Sequence, residues 1–395
     1  MGKNFRCGVS KVDITPSIGC EMAGMGRGHI AKSIHDNLYA NILILDDGKE
    51  KFAIVTADLI GIDIEITEKI KELVKGKINL ENFLITASHT HYGPNTRFIL
   101  PYPEKDISYI YQLCKKIANG ICIALRNMKE AKIGMGRGAI KESVNRRINL
   151  PDGSHHYLYD EPQLLKYAKG PVDDEVGVIC IEDMNSKPIA TFFNYTCHPI
   201  CLPIDNLSIS ADYPGVAKRL IEEDIGGVAF FSNGACGNIG PIRALEGFQR
   251  MGELGENLAI EVKRVLKNIK FTSDVKLKVA KSFVELPIRE EIVKRWDMNR
   301  RFRNKKTIIS EIITFSVNNL VFIGIPGEAF VELGLEIKKK APFSDTYILY
   351  LTNDDLLYIP TKESYKEGGY EVSVAMLGEE SYDIILNQTL KLMEN

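Results

Sequence analysis

The stretch Phe52-Ala53-Ile54-Val55-Thr56-Ala57, followed by Asp63-Ile64-Glu65-Ile66-Thr67-Glu68-Lys69-Ile70-Lys71-Glu72-Leu73-Val74-Lys75 and then by Phe83-Leu84-Ile85-Thr86-Ala87, decides the fold. Two short apolar runs, bounded by turn residues, flank a segment whose apolar positions recur at helical spacing. Strand, helix, strand in that order implies an α/β architecture. Outward from this unit the alternation continues. Further strands are predicted at 39–46, 132–137, 176–182, 188–195, 227–231, 275–286, 308–317, 320–325 and 346–352. Further helices are predicted at 107–127, 213–224, 247–267, 289–303, 328–340 and 378–393. In 107–127 the stripe Ile107, Ile110, Tyr111, Cys114, Ile117, Ala118 and Ile121 marks the face expected to be buried. The segment 149–173, with its Pro-Asp-Gly turn and His155-His156 pair, lacks clear periodicity and reads as a lid or binding loop.

The composition fits an ordinary folded protein: 395 residues, 45% hydrophobic and 26% charged. Lys+Arg of 50 against Asp+Glu of 52 gives a formal charge of −2, unlike the basic footprint of a nucleic-acid binder. The cluster Lys294, Arg295, Arg300, Arg301, Arg303, Lys305 and Lys306 reads as the solvated face and end of a helix. The opening Met1-Gly2-Lys3-Asn4-Phe5-Arg6 has no apolar leader, and Arg6 stands where a myristoylation signal needs Ser or Thr. No run of about 18 apolar residues is present to span a membrane. The eight cysteines include no C-x-x-C pair and read as reduced core residues, so the expected compartment is the cytoplasm.

Three apolar strands end in residues suited to a metal. Phe83–Ala87 runs into Ser88-His89-Thr90-His91-Tyr92-Gly93-Pro94, whose two histidines share a side if the chain stays extended. The strand ending at Tyr195 leads through Thr196-Cys197 to His198-Pro199. Leu320–Ile325 reaches Pro326-Gly327-Glu328, where the acid either opens a helix or binds an ion. A fourth run, Asn353-Asp354-Asp355-Leu356-Leu357-Tyr358-Ile359-Pro360-Thr361, is followed by Tyr370-Glu371. These pieces draw on positions near 89, 198, 328 and 358, so a single domain over 1–395 is expected.

Taken together the chain resembles the catalytic domain of the neutral, non-lysosomal ceramidases, zinc amidases of N-acyl bonds. The resemblance rests on these motifs and on Asp13-Ile14-Thr15-Pro16, Val144-Asn145-Arg146, Val172–Val178, Asp212-Tyr213-Pro214-Gly215 and Asn233-Gly234-Ala235-Cys236-Gly237-Asn238, all in family order. It implies mixed β-sheets flanked by helices with a metal site at strand ends. It implies Zn2+ held by His89, His198, Glu328 and Tyr358, and active-site roles for His91, Arg146 and Tyr370. Two departures stand out: Gly240 where the family has its catalytic serine, and Asn238 where it has an aspartate. The family's C-terminal β-rich domain is not expected after the last of these motifs. The expected function is therefore hydrolysis of an N-acyl amide of a small-molecule substrate by metal-bound water, with His91 carrying the proton. Arg146 and Tyr370 would hold the substrate's oxygens. An esterase or lactonase on the same site, or a metal-stabilised binding protein without catalysis, are the alternatives. No nucleic acid or membrane span enters any of these readings.

Overall fold

Apolar strands with alternating faces need cover on both sides, and this chain supplies it with helices outside and a second sheet inside. The computed structural model describes residues 5–24, 26, 28–77, 82–97, 105–295 and 301–394. The larger sheet has nine strands. Eight run in the spatial order Val228–Asn233, Pro188–Tyr195, Glu175–Asp183, Lys129–Ala139, Arg6–Asp13, Tyr39–Asp46, Lys51–Ala57 and Phe83–Ala87, and Phe271–Thr272 pairs beside Lys129–Ala139. Its two parallel pairs, Lys51–Ala57 with Phe83–Ala87 and Pro188–Tyr195 with Val228–Asn233, are each joined across a helix, Ile64–Val74 and Asp212–Ile225. The second sheet orders Leu277–Pro287, Thr307–Val317, Leu320–Gly324 and Asp345–Leu349, the last pair parallel across the helix Val331–Lys340.

The period of two along each strand divides the core. Ile54, Phe192 and Phe230 face the second sheet, while Val55, Phe193 and Phe231 face helices. Between the sheets Phe52 stacks on Phe315 at 3.6 Å and Phe322 meets Phe192 edge-on at 5.2 Å between centroids. Ile64–Val74 and Ile107–Arg126 cover one half of the large sheet, and Asp212–Ile225 with Phe248–Leu266 the other. Val331–Lys340 and Ser381–Glu394 cover the second sheet.

Among the described residues, the ladder between the two halves of the large sheet consists of Arg6–Glu130 and Cys7–Lys129, with the Ala131 N–H donating to the Phe5 carbonyl at 3.0 Å, and the halves splay beyond it. Side-chain amides tie them together again: Asn41 donates to the Ala229 carbonyl at 2.6 Å and Asn233 to that of Ser88 at 3.2 Å. This second tie brings the exit of Phe83–Ala87 beside the exit of Pro188–Tyr195, and with them His89 beside His198.

Several expectations need correction. The helix Ile107–Arg126 buries Leu113, Cys114, Ile117, Ala118, Gly120, Ile121 and Ala124, whereas Ile107 and Tyr111 are exposed. In the first turn Tyr109 and Ile110 pack against the core instead, and the Tyr109 hydroxyl donates to the Ile14 carbonyl at 2.7 Å. Of the helix expected over 289–303, Glu290–Arg295 is helical, 296–300 lie outside the described residues, and 301–304 form a turn. Arg300 lies outside the described residues, and Arg301 is not part of a solvated face: its guanidinium pairs with the buried carboxylate of Asp354. The helix expected from 328 begins at Val331. Segment 149–173 holds a strand, His155–Tyr157, paired with Arg147–Asn149, and a 3-10 turn at Pro162–Tyr167. Among the described residues no helix is long and apolar enough to cross a membrane.

Candidate metal centre

His89 does not lie in an extended strand. The strand stops at Ala87, and His89 takes a left-handed backbone with φ of 71°. Its N–H donates to the Leu59 carbonyl at 2.9 Å, which turns the chain over the end of the neighbouring strand. The two histidines of the His-x-His run converge through this turn, not through the strand pleat. His198, three residues beyond its strand, donates its backbone N–H to the Ile239 carbonyl at 3.0 Å.

Each ring is fixed through Nδ1. His89 Nδ1 lies 2.6 Å from the Ile60 carbonyl, His91 Nδ1 3.2 Å from that of Gly24, and His198 Nδ1 2.7 Å from that of Cys236. A carbonyl only accepts, so each Nδ1 carries the hydrogen, and a ring in that tautomer turns the lone pair of Nε2 inward. Those atoms meet: His89 Nε2 lies 3.1 Å from His198 Nε2 and 3.2 Å from His91 Nε2. Burial pushes His198 down to about 3 and His91 well below its ordinary value, which keeps both rings neutral. Three converging lone pairs repel unless a cation sits among them. Ligands about 2.0–2.1 Å from a tetrahedral zinc stand roughly 3.3 Å apart, close to these spacings. The donor set fits a divalent ion of the zinc type.

Glu328 and Tyr358 reach this point through a two-residue parallel bridge, Glu328–Ala329 with Tyr358–Ile359, that sets them directly opposite each other. Glu328 therefore belongs to a strand pair, three residues ahead of the helix that its sequence position suggested. Its Oε2 lies 3.4 Å from His89 Nε2 and 3.7 Å from His198 Nε2. Burial alone would raise its pKa, but the Arg97 guanidinium beside it outweighs this and holds the carboxylate ionised. Arg97 bridges Glu328 and Asp355, and the Tyr350 hydroxyl donates to Glu328 Oε2 at 2.9 Å.

Arg146 donates through Nη2 to the Tyr358 hydroxyl at 3.1 Å and to the Gly237 carbonyl at 2.7 Å, while Nε meets Glu371 at 2.8 Å. Its bonds thus hold Tyr358 in place. Glu371, fully buried, also binds Arg147 at 2.9 Å. Tyr370 is 43% exposed and stands at the rim, 6.0 Å from the Tyr358 ring and 5.7 Å from that of Tyr157. Burial raises the thiols of Cys197 and Cys201 well above their ordinary range, so the cysteines flanking His198 stay protonated. Asn238 braces the backbone. Its Oδ1 accepts the Val331 N–H at 2.9 Å and its Nδ2 donates to Glu332 at 2.9 Å, where a carboxylate would face a carboxylate.

The structure thus gathers His89, His91, His198, Glu328, Tyr358 and Arg146, with Tyr370 outside them. Sequence reasoning missed Arg97, Tyr350, Asp355 and Glu371. Asp355 and Glu371 lay within quoted motifs, and Arg97 follows Gly93-Pro94 closely, but nothing local marked them as buried.

A family model described as neutral/alkaline non-lysosomal ceramidase, N-terminal, matches residues 5–242. The neutral ceramidase of Pseudomonas aeruginosa is 23% identical over 258 residues, covering 60% of this chain and 37% of that protein. The neutral ceramidase of Oryza sativa subsp. japonica is 25% identical over 233 residues, covering 55% of this chain and 29% of that protein. The matches thus span about a third of the length of these relatives. The crystal structure of the Pseudomonas aeruginosa neutral ceramidase superposes with a TM-score of 0.81 at 18% identity, over 100% of this chain and 74% of that one. A ceramidase complexed with C2 gives 0.79 at 18% identity, over 99% and 75%. The structural likeness establishes the shared fold, and the family model covers more than half of the sequence: the chain belongs to the neutral/alkaline non-lysosomal ceramidase family.

Proposed function

We propose that this chain is a zinc-dependent hydrolase of an N-acyl amide, with His89, His198, Glu328 and Tyr358 as ligands and His91 as the proton carrier. The observation that carries the reading is the convergence of the His89 and His198 Nε2 atoms, each ring fixed by an Nδ1 anchor, beside an ionised buried carboxylate, with His91 Nε2 next to them. A bound zinc ion supplies Lewis acidity towards the scissile carbonyl and activates a water. The chain's own groups do the rest. His91 is the least buried of the three histidines and is neutral, so its Nε2 can take the proton of the attacking water and return it to the leaving amine. Arg97 and Tyr350 hold Glu328, and Arg146 with Glu371 holds the Tyr358 phenol. Tyr370, at the rim, would hold the substrate's oxygens. The eight free thiols suit a reducing, cytoplasmic setting.

The test is metal analysis joined to turnover of N-acyl amino acids and acyl amides. One equivalent of zinc and its loss in His89→Ala, together with amide hydrolysis, support the reading. Full metal content and activity in His89→Ala would sink it.

A further inference from the structure

Gly240 lies in the short strand Ile239–Pro241, opposite Val144 of Ser143–Asn145. The preceding residue, Ile239, gives the carbonyl that receives both the N–H and the ring Nδ1–H of His198. The residue before that, Asn238, receives the N–H of Arg146 at 2.9 Å. Gly240 therefore follows directly on backbone that positions two site residues, yet it offers no side chain.

That volume is filled from elsewhere. A Cβ on Gly240 would stand 2.0 Å from the Tyr159 hydroxyl oxygen and 3.0 Å from its Cζ. The phenol tip of Tyr159 thus occupies the place of a residue-240 side chain. Tyr157 and Tyr159, two residues apart, turn their rings together, with centroids 5.5 Å apart. Tyr157 leans on Tyr370, and Tyr370 on Tyr358. An unbroken line of tyrosines therefore runs from Gly240 to the candidate ligand, with the Arg146 guanidinium 5.5 Å from the Tyr157 ring centroid. The Tyr159 hydroxyl donates its one hydrogen to the Pro241 carbonyl at 3.1 Å. Burial raises its pKa well above 10, so it remains a phenol. With the hydrogen committed, what it offers a ligand is its lone pairs.

We propose that the Tyr159 hydroxyl, seated in the side-chain volume left open at Gly240, is a specificity-determining group that accepts the N–H of the scissile amide. This rests on the amidase reading and sharpens it. An amide satisfies the phenol oxygen, whereas an ester sets a lone pair against a lone pair and leaves the acceptor unmet.

The experiment compares an N-acyl amide with the ester of the same acyl group on zinc-loaded protein. Tyr159→Phe should lower kcat/KM for the amide about tenfold relative to the ester, the scale of one lost hydrogen bond, with zinc content unchanged. Gly240→Ala, whose Cβ displaces the hydroxyl, should reproduce the amide-selective loss with the phenol still present. An equal fall on both substrates, or no fall, overturns the proposal and leaves the amidase reading standing. Failure of fully loaded wild-type protein to cleave any amide overturns both.

Discussion

A carboxylate that ligates an ion and one that merely caps a helix respond differently to losing their charge, and Glu328 is the residue where the two are told apart. As a helix-terminal acid, Glu328→Gln would cost about 0.3–1 kcal/mol and spare metal affinity. As a buried partner of Arg97 facing His89 and His198, the same change should weaken zinc binding at least tenfold and destabilise the fold by about 1–3 kcal/mol. Zinc titration followed by calorimetry decides, and unchanged affinity refutes ligation. The histidines and Glu328 stood out in sequence because each follows an apolar strand that reaches a turn, whereas Tyr358 was singled out only by the family resemblance. Arg97 was not, because the carboxylates that explain it lie 231 and 258 residues away along the chain. A lone arginine in a loop carries no local sign of such partners.

At the scale of elements, sheet-on-sheet packing and a helix start each give a measurable expectation. Gly177, in the strand Glu175–Asp183, lies against Tyr347 of the second sheet, where an added Cβ would meet ring atom Cε1 at 2.3 Å. Gly177→Ala should destabilise the protein by about 1–3 kcal/mol through overpacking. A denaturation midpoint equal to wild type would show that the sheets can part there. Asp212 opens the helix Asp212–Ile225, fully buried, its carboxylate accepting the N–H groups of Cys201 and Tyr213 at 2.9 and 2.5 Å. Burial nevertheless raises its pKa from 3.8 to about 6. Between these values the folded state keeps a proton that the unfolded chain releases, so its contribution to stability is full below pH 3.8 and falls as pH rises to 6. Relative to Asp212→Asn, wild type should lose about 3 kcal/mol across that window; parallel stability curves would contradict the burial argument. Strand positions were read closely, as at Tyr39–Asp46, Phe83–Ala87 and Pro188–Tyr195, because apolar runs bounded by turn residues leave little choice. The two-residue bridges were not read, since pairs this short have no period of their own.

For the molecule as a whole, the α/β architecture with flanking helices followed from one β-α-β unit, but the tying together of the large sheet's two halves did not. That tie depends on Asn41 and Asn233 reaching backbone carbonyls across the splayed halves, and a polar residue inside a strand usually signals only solvent. The cysteines give a test of the whole fold. All eight are free, and only Cys20 and Cys122 are not buried. Thiol titration should find eight groups in denaturant, and in native protein no more than these two should react quickly. Fewer than eight in freshly purified, denatured material would reveal a disulfide and argue against the reducing compartment.

On the ligand set proposed above, the pairing of Glu328–Ala329 with Tyr358–Ile359 also fixes when the centre can exist. At synthesis rates of roughly 5–20 residues per second, the stretch from His89 to Tyr358 takes about 15–50 s to emerge from the ribosome. During that interval the nascent chain presents imidazoles without their carboxylate or phenol, a set open to any passing transition metal and in particular to copper. The last two ligands then arrive together, in one pairing event late in translation. Selection of the ion is thus deferred to the end of synthesis, and a chain interrupted before Tyr358 carries the histidines but not the means to choose.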